Sequence, residues 1–422
     1  MTRPVSVRID DLADPRFPDE MRPILDGVEA MAGQIRIDPE WLTRTATEQT
    51  GLEDFGDDAF RERLDVFCRA LNDEASLNAI GTVTQGGLLL QVLKNRLLIE
   101  DLIRRHPEIA SVEIRSPVII CGLPRTGTTH LHNLMSADPA LRYLPYWEAL
   151  EPVLPDGERP APGEPDPRLA RTEIALGFTN GMLPLFKRMH EMTLHHAHEE
   201  IQLLAIDCSS MLFETLAPMP TWRDYYTAHD QTPVYAYLKR VLQVLQWLRG
   251  GERWVLKSPQ HMEQFGPLLA TFPDAVFVVT HRDPVSVIAS AATMLAYTAR
   301  MATGRPDPSR IGAYWSDRLE DMLRACVRDR DLLPADRTID VGFDEFMADD
   351  VAMVERIYAL AGQPMAEASR RAMEEFMAAH PRGRHGGVIY DLAELGIDRE
   401  ERRKALRFYV DRFGVSVEEH AG

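Results

Sequence analysis

The sequence predicts an α/β protein: a P-loop-type parallel sheet flanked by helices, with a helical segment before it and a helical insertion inside it. Three observations carry that reading. Short apolar runs at 116–121, 254–256, 275–280 and 338–341 have the length of buried strands. Stretches with apolar residues three and four apart separate them. The first run opens straight into a Gly/Thr turn and then a helix.

Taken in order, residues from about 57 to 105 read as helices, with Phe60, Leu64, Phe67 and Leu71 along one face. Ser116-Pro117-Val118-Ile119-Ile120-Cys121 suits a parallel strand buried on both sides. Leu131, Leu134 and Met135 fall at helical spacing, and the Pro/Gly/Asp-rich stretch from Glu151 to Pro167 is an irregular connection. Residues 168–250 read as helical and rich in Met, Leu and aromatics. Trp254-Val255-Leu256 and Ala275 to Thr280 are the second and third strands, with a helix between them, and Thr338-Ile339-Asp340-Val341 is the fourth. Helices follow to the end, broken at Pro381 to Gly387. The expected organisation is a helical segment over 1–110, a core over 111–345 and C-terminal helices with a lid loop over 346–422.

Composition narrows the function. The 422 residues carry 47 Lys and Arg against 65 Asp and Glu, a formal charge of −18. Such a surface repels a phosphate backbone, so nucleic acid is not an expected partner. An anionic ligand must be held by a local gathering of Arg and backbone N–H groups. Cys68, Cys121, Cys208 and Cys326 are far apart and form no C-x-x-C pair, which predicts a reduced intracellular chain. There is no signal-peptide h-region at the start and no run of about 18 apolar residues, so the expectation is a cytoplasmic protein without a membrane span. Self-association into a homo-oligomer is left open.

The strongest motif is Gly122-Leu123-Pro124-Arg125-Thr126-Gly127-Thr128-Thr129. A loop between a strand and a helix aims backbone N–H groups and the positive helix end at an anion. Its glycine spacing is that of a P-loop, yet Thr128 stands where a nucleotidase needs Lys, which argues against a kinase or nucleotidase. A second motif runs from Thr280 through Ser290. There Arg282 follows the third strand at the carboxyl edge of the sheet, Asp283 and Pro284 suit a helix start, and Ser290 lies two turns in.

These two motifs, in this order, resemble the sulfotransferases that use 3′-phosphoadenosine 5′-phosphosulfate (PAPS), and most closely their larger bacterial branch. Thr50 to Gly56, Leu256-Lys257-Ser258-Pro259-Gln260-His261 and the tail from Pro381 to Val415 extend the resemblance over most of the chain after about residue 50. It implies that Arg125, Thr126, Gly127, Thr128 and Thr129 hold the 5′-phosphosulfate. It further implies that Arg282 and Ser290 contact the 3′-phosphate, and that Arg384, His385 and Gly386 belong to a loop closing over it. The implied co-substrate is PAPS, released as PAP, with no metal. Cytosolic members carry Lys where this chain has Arg125 and Trp where it has His130.

Transfer to a hydroxyl also needs a base and a cation at the leaving oxygen. Lys257 is read as that cation. His261, after the second strand, is favoured as the base, with Glu199 of the His195-His196-Ala197-His198-Glu199-Glu200 cluster as the alternative. A zinc reading of that cluster fails on Gln202, which stands where H-E-x-x-H needs its second His. The Met- and aromatic-rich stretch 182–247 suggests an apolar small-molecule acceptor, a hydroxyl or amine compound. A non-catalytic nucleotide-binding protein of the same fold is the remaining alternative.

Overall fold

The computed structural model describes residues 5–418. Four parallel strands form the central sheet in the order β3-β2-β4-β5: β2 (Val118–Cys121), β3 (Val255–Ser258), β4 (Val276–His281) and β5 (Thr338–Gly342). A separate parallel pair joins β1 (Val7–Arg8) to β6 (Val388–Ile389). The four expected strands are therefore all present. The β1–β6 pair was not expected, since two residues are too few to show a period.

Side-chain alternation along the strands divides the core. Ile119, Cys121, Leu256, Phe277 and Val279 face one layer. Val118, Ile120, Val255, Val276, Val278 and Val341 face the other. Both faces being covered explains why the runs read as continuously apolar.

The helices preceding the sheet are α1 (Arg22–Ala32), α2 (Pro39–Thr50), α3 (Phe60–Glu74) and α4 (Ala79–Arg105). Between β2 and β3 come α5 (Thr128–Ser136), α6 (Tyr146–Leu150), α7 (Pro167–Met182), α8 (Ile201–Leu204), α9 (Pro220–Ala228) and α10 (Thr232–Arg249). Next are α11 (Phe265–Thr271) before β4, then α12 (Pro284–Thr298) and α13 (Pro308–Asp329) before β5. The chain continues with α14 (Phe343–Ala348), α15 (Asp350–Ala361), α16 (Glu367–Ala379), α17 (Arg399–Ala405) and α18 (Arg407–Phe413). Helices α5 and α15 cover the Val118 face of the sheet; α10, α12 and α13 contribute to the Ile119 face.

The leading helices join the insertion in a common core, where Phe60, Leu64, Phe67 and Leu93 meet Phe213, Trp222 and Tyr226. Buried charges lock that junction. The Asp207 carboxylate accepts from Arg63 at 2.6 Å and from Arg96 at 2.8 Å. Breaking one member of such a buried set leaves the others uncompensated, at a cost of about 3–5 kcal/mol.

One expectation needs correction. The insertion is not helical throughout: α7 ends at Met182, and residues 183–200 hold only a short 3-10 turn, Phe186–Arg188. Pro184 lacks an N–H and cannot continue the ladder. This irregular stretch lies over the carboxyl edge of the sheet and supplies much of the site.

Candidate active site

The loop after β2 is shaped by two left-handed residues. Gly127 has φ +87° and precedes α5. A side chain there is disfavoured by the backbone, and a Cβ would also press on Phe346 at 3.3 Å. Arg125 has φ +72°, a region costly for a residue with a Cβ, of order 1–3 kcal/mol. Contacts hold it there. Its Nε donates to Ser290 Oγ at 2.8 Å, and Nη1 donates to the Met189 carbonyl. Ser290 in turn donates to the Tyr390 hydroxyl at 2.8 Å.

Two cavities meet on this loop. One, of about 390 Å³, is polar and is walled by Arg125, Gly127, Thr128 and Thr129, by Arg282, and by the 381–386 loop with Arg384, His385 and Gly386. The other, of about 310 Å³, is apolar, with Met211, Leu212, Met294 and Trp315 among its walls. Arg125, Thr128, Thr129 and His190 line both.

Three arginines of the polar cavity, Arg282, Arg382 and Arg384, are already paired with carboxylates. Arg282 donates from Nε and Nη2 to Glu418 at 2.6 and 3.0 Å, with its guanidinium 4.1 Å from the Phe343 ring centre. Its Nη1 reaches the Arg125 carbonyl at 2.8 Å, tying the two anion motifs together. Glu191 accepts from Arg384 and faces His385 Nε2 at 2.9 Å. Burial pushes the Glu191 carboxyl up, but the hydrogen bonds from Arg384 and His385 outweigh it and hold it below its usual value. Arg382 pairs with Asp350, which also meets His130 Nε2 at 3.0 Å. Lys187 lines this cavity and has no ion-pair partner among the described residues.

On the apolar side, Glu199 lines the cavity and pairs with Lys257 Nζ. Lys257 is buried in β3 and lines neither cavity. Its backbone N–H donates to Glu200 Oε2 at 2.7 Å, so Glu200 closes part of the outer edge of β3. Burial raises the Glu200 carboxyl well above its usual value. His261 is fully buried, between Tyr235 Oη at 2.8 Å from Nδ1 and Glu200 Oε2 at 3.2 Å from Nε2. Burial lowers its pKa to about 3, and Lys257 adds to the effect. Burial likewise lowers His190 to about 4, so both imidazoles are neutral near pH 7. Among the described residues, no group of three or more His, Cys, Asp or Glu is arranged to hold a metal ion.

The structure thus gathers Arg125, Gly127, Thr128, Thr129, Arg282, Arg384, His385 and Gly386 around one cavity. Thr126 stands behind the loop, donating to the Leu123 carbonyl at 2.7 Å and meeting Thr280 Oγ1 at 2.7 Å. Ser290 steadies Arg125 and lines neither cavity. His261, favoured as the base from its place after a strand, is likewise on neither cavity wall, whereas Glu199 is. The 3-10 turn Pro259–Glu263 packs its imidazole inward. Lys187 and His190 were missed, because an irregular segment offers no period by which to place them. Lys187 is thus a second lysine near the two anion motifs.

A model described as the Sulfotransferase family matches residues 117–367, more than half of the chain. The chain belongs to the sulfotransferase family. As a sulfotransferase it requires a sulfonate donor. The sulfotransferase STF1 from Mycobacterium tuberculosis H37Rv superposes with a TM-score of 0.75 at 30% identity, over 87% of this chain and 97% of that one. STF9 from Mycobacterium avium gives 0.77 at 25%, over 90% and 98%. Among curated proteins, the omega-hydroxy-beta-dihydromenaquinone-9 sulfotransferase Stf3 of Mycobacterium bovis is 22% identical over 277 residues, 63% of this chain and 67% of the relative. No helix among the described residues of this sulfotransferase is long and apolar enough to cross a membrane.

Proposed function

We propose that this sulfotransferase takes PAPS in the polar cavity and an apolar alcohol or phenol in the apolar one. The observation that carries the proposal is the shared wall: Arg125, Thr128 and Thr129 line both cavities, so a sulfuryl group on the loop faces each. The polar side fits a nucleotide with two anionic ends. Arg125 and the N–H groups opening α5 serve the phosphosulfate end, and Arg282 with the 381–386 loop serves the 3′-phosphate. The Phe343 and Phe376 rings on the same cavity offer faces for a purine. The related Stf3 acts on an omega-hydroxy-dihydromenaquinone, and a hydroxyl on an apolar body suits the present cavity as well.

The donor supplies an activated sulfur–oxygen bond to phosphate. Glu199 is placed to take the proton of the acceptor hydroxyl as that oxygen attacks sulfur. Arg125 and the loop N–H groups offset charge on the sulfuryl oxygens and the departing phosphate oxygen. Lys257, ion-paired to Glu199, holds that carboxylate in place. His261 and Glu200 act behind it, as buried neighbours of the β3 edge.

The test is label transfer from radiolabelled PAPS to a panel of apolar alcohols and phenols. Label recovered on an acceptor, with PAP as co-product, is the expected result. Tight PAP binding with no transfer to any acceptor would overturn the reading in favour of a non-catalytic nucleotide-binding protein.

A further inference from the structure

The apolar cavity contains a buried polar side chain that the proposed chemistry does not use. Gln85 lines it from α4, a helix of the N-terminal segment, and is only 4% exposed. Its amide oxygen has no hydrogen-bond partner among the described residues. Of the other polar side chains on the wall, His198 also has a buried ring nitrogen, Nδ1, without a partner among the described residues, and three more are committed. The Thr215 hydroxyl donates to the Leu212 carbonyl at 2.6 Å, the Thr298 hydroxyl to the Leu295 carbonyl at 3.2 Å, and Glu199 pairs with Lys257. A buried amide left unpaired costs stability, about as much as a missing hydrogen bond, and calls for an explanation.

The placement of Gln85 is firmly determined. Asn78 caps α4, accepting from the Gly81 N–H at 2.8 Å, while its own N–H donates to the Ala302 carbonyl at 2.8 Å. Gly81 is pressed against the same residue, since a Cβ there would lie 2.3 Å from the Ala302 oxygen. Gln85 is one turn further along the same face of α4. It therefore belongs to the wall that also includes Thr298 and Met301.

We propose that Gln85 determines acceptor specificity, by pairing with a second polar group on the acceptor. The preferred substrates are then apolar molecules with a hydroxyl to be sulfated and a further hydroxyl or carbonyl elsewhere on the body. A primary amide serves either partner, since its two ends donate and accept. This inference rests on the apolar cavity being the acceptor site.

Decanol and the α,ω-decanediol make a matched pair of probes. Their binding to the full chain without donor is measured by calorimetry, and their sulfation is measured separately. The expected result is tighter binding and higher kcat/KM for the diol by about tenfold, one hydrogen bond's worth. Gln85→Leu, and Gln85→Met as a second apolar replacement, should erase that preference while leaving decanol and PAP binding unchanged. Melting temperature should not fall in either variant, since no internal hydrogen bond is lost. A preference that survives in both variants, or an equal loss for both probes, would overturn the proposal. Because binding is read without donor, sulfation failing while the diol preference stands would count against the reaction assignment and not against Gln85.

Discussion

The polar and apolar cavities share a loop but solve recognition in opposite ways. In the first, Arg282, Arg382, Arg384 and His385 are charged or chargeable groups, each set against a carboxylate of the chain. In the second, apolar side chains make up more than half of the wall, with Met and Leu prominent among them, and the lining histidines His190 and His198 are held neutral by burial. Charge placed at fixed points recognises a ligand of fixed structure, as a nucleotide donor is. An apolar wall rich in adaptable methionine discriminates weakly by size. On the proposed assignment, one side serves identity and the other tolerance, with Gln85 the exception on the tolerant side.

The sharpest way to break this division is at Glu199. Glu199→Gln should lower kcat by about 10²–10⁴-fold with PAP affinity unchanged, read by steady-state kinetics and calorimetry. His261→Gln should leave most of the turnover. If His261→Gln is the variant that abolishes turnover with its fold intact, the base lies behind the strand and the cavity assignment is wrong.

The next largest effect belongs to the donor side. Arg282→Ala should weaken PAP by about 1.5–3 kcal/mol, the worth of a charge-assisted contact. Adenosine 5′-phosphosulfate, which lacks the 3′-phosphate, should be little affected. Equal losses for both nucleotides would remove Arg282 from the 3′-phosphate.

Acid tests the packing behind the apolar cavity, where His261 lies. His261 is neutral in the fold, with a pKa near 3 against an ordinary 6.5. Its depressed value contributes stability that is fully present above pH 6.5 and is lost as pH falls toward 3. The unfolded chain binds the proton first. In denaturant titrations across that window, His261→Gln should flatten the decline by up to about 1.4 kcal/mol per pH unit. An unchanged slope would mean that the imidazole is not buried neutral.

Smaller effects should follow at the tail. Glu418→Gln removes the carboxylate resting on Arg282 and should tighten PAP by a few fold, in the opposite direction to Arg282→Ala. No change would show that the pair does not compete with the nucleotide. The smallest expected effect is that of EDTA. On the proposed assignment Arg125 and the loop N–H groups take the electrostatic role of an ion, so turnover should stay within experimental error; strict Mg²⁺ or Zn²⁺ dependence would contradict that.

Much of this was legible in the sequence, for reasons that differ by element. The strands announced themselves because both faces of the sheet are covered. The Gly122–Thr129 loop stood out because its Gly/Thr turn opens a helix directly after a strand. What a linear pattern does not show is which side of a loop a side chain takes. Thr126 and Thr128 are two residues apart, yet one braces the loop from behind and the other lines both cavities. Position after β3 placed His261 at the correct edge without showing that the following 3-10 turn packs it inward. Glu199 and Lys257, 58 residues apart, meet only because the irregular 183–200 stretch crosses the sheet edge. No local spacing encodes that crossing.

The paired arginines also bear on how the molecule meets ionic strength. At Arg282, Arg382 and Arg384, phosphate oxygens entering the polar cavity would replace carboxylates that are already there, and the number of ion pairs would change little. The site then behaves as an anion exchanger more than as an empty cationic trap. Salt that screens the incoming phosphate also screens the outgoing Glu418 and Glu191. Donor affinity should accordingly depend on salt less steeply than a count of the arginines would suggest. An acidic protein could in this way keep a highly charged nucleotide without exposing a bare positive surface to every other polyanion.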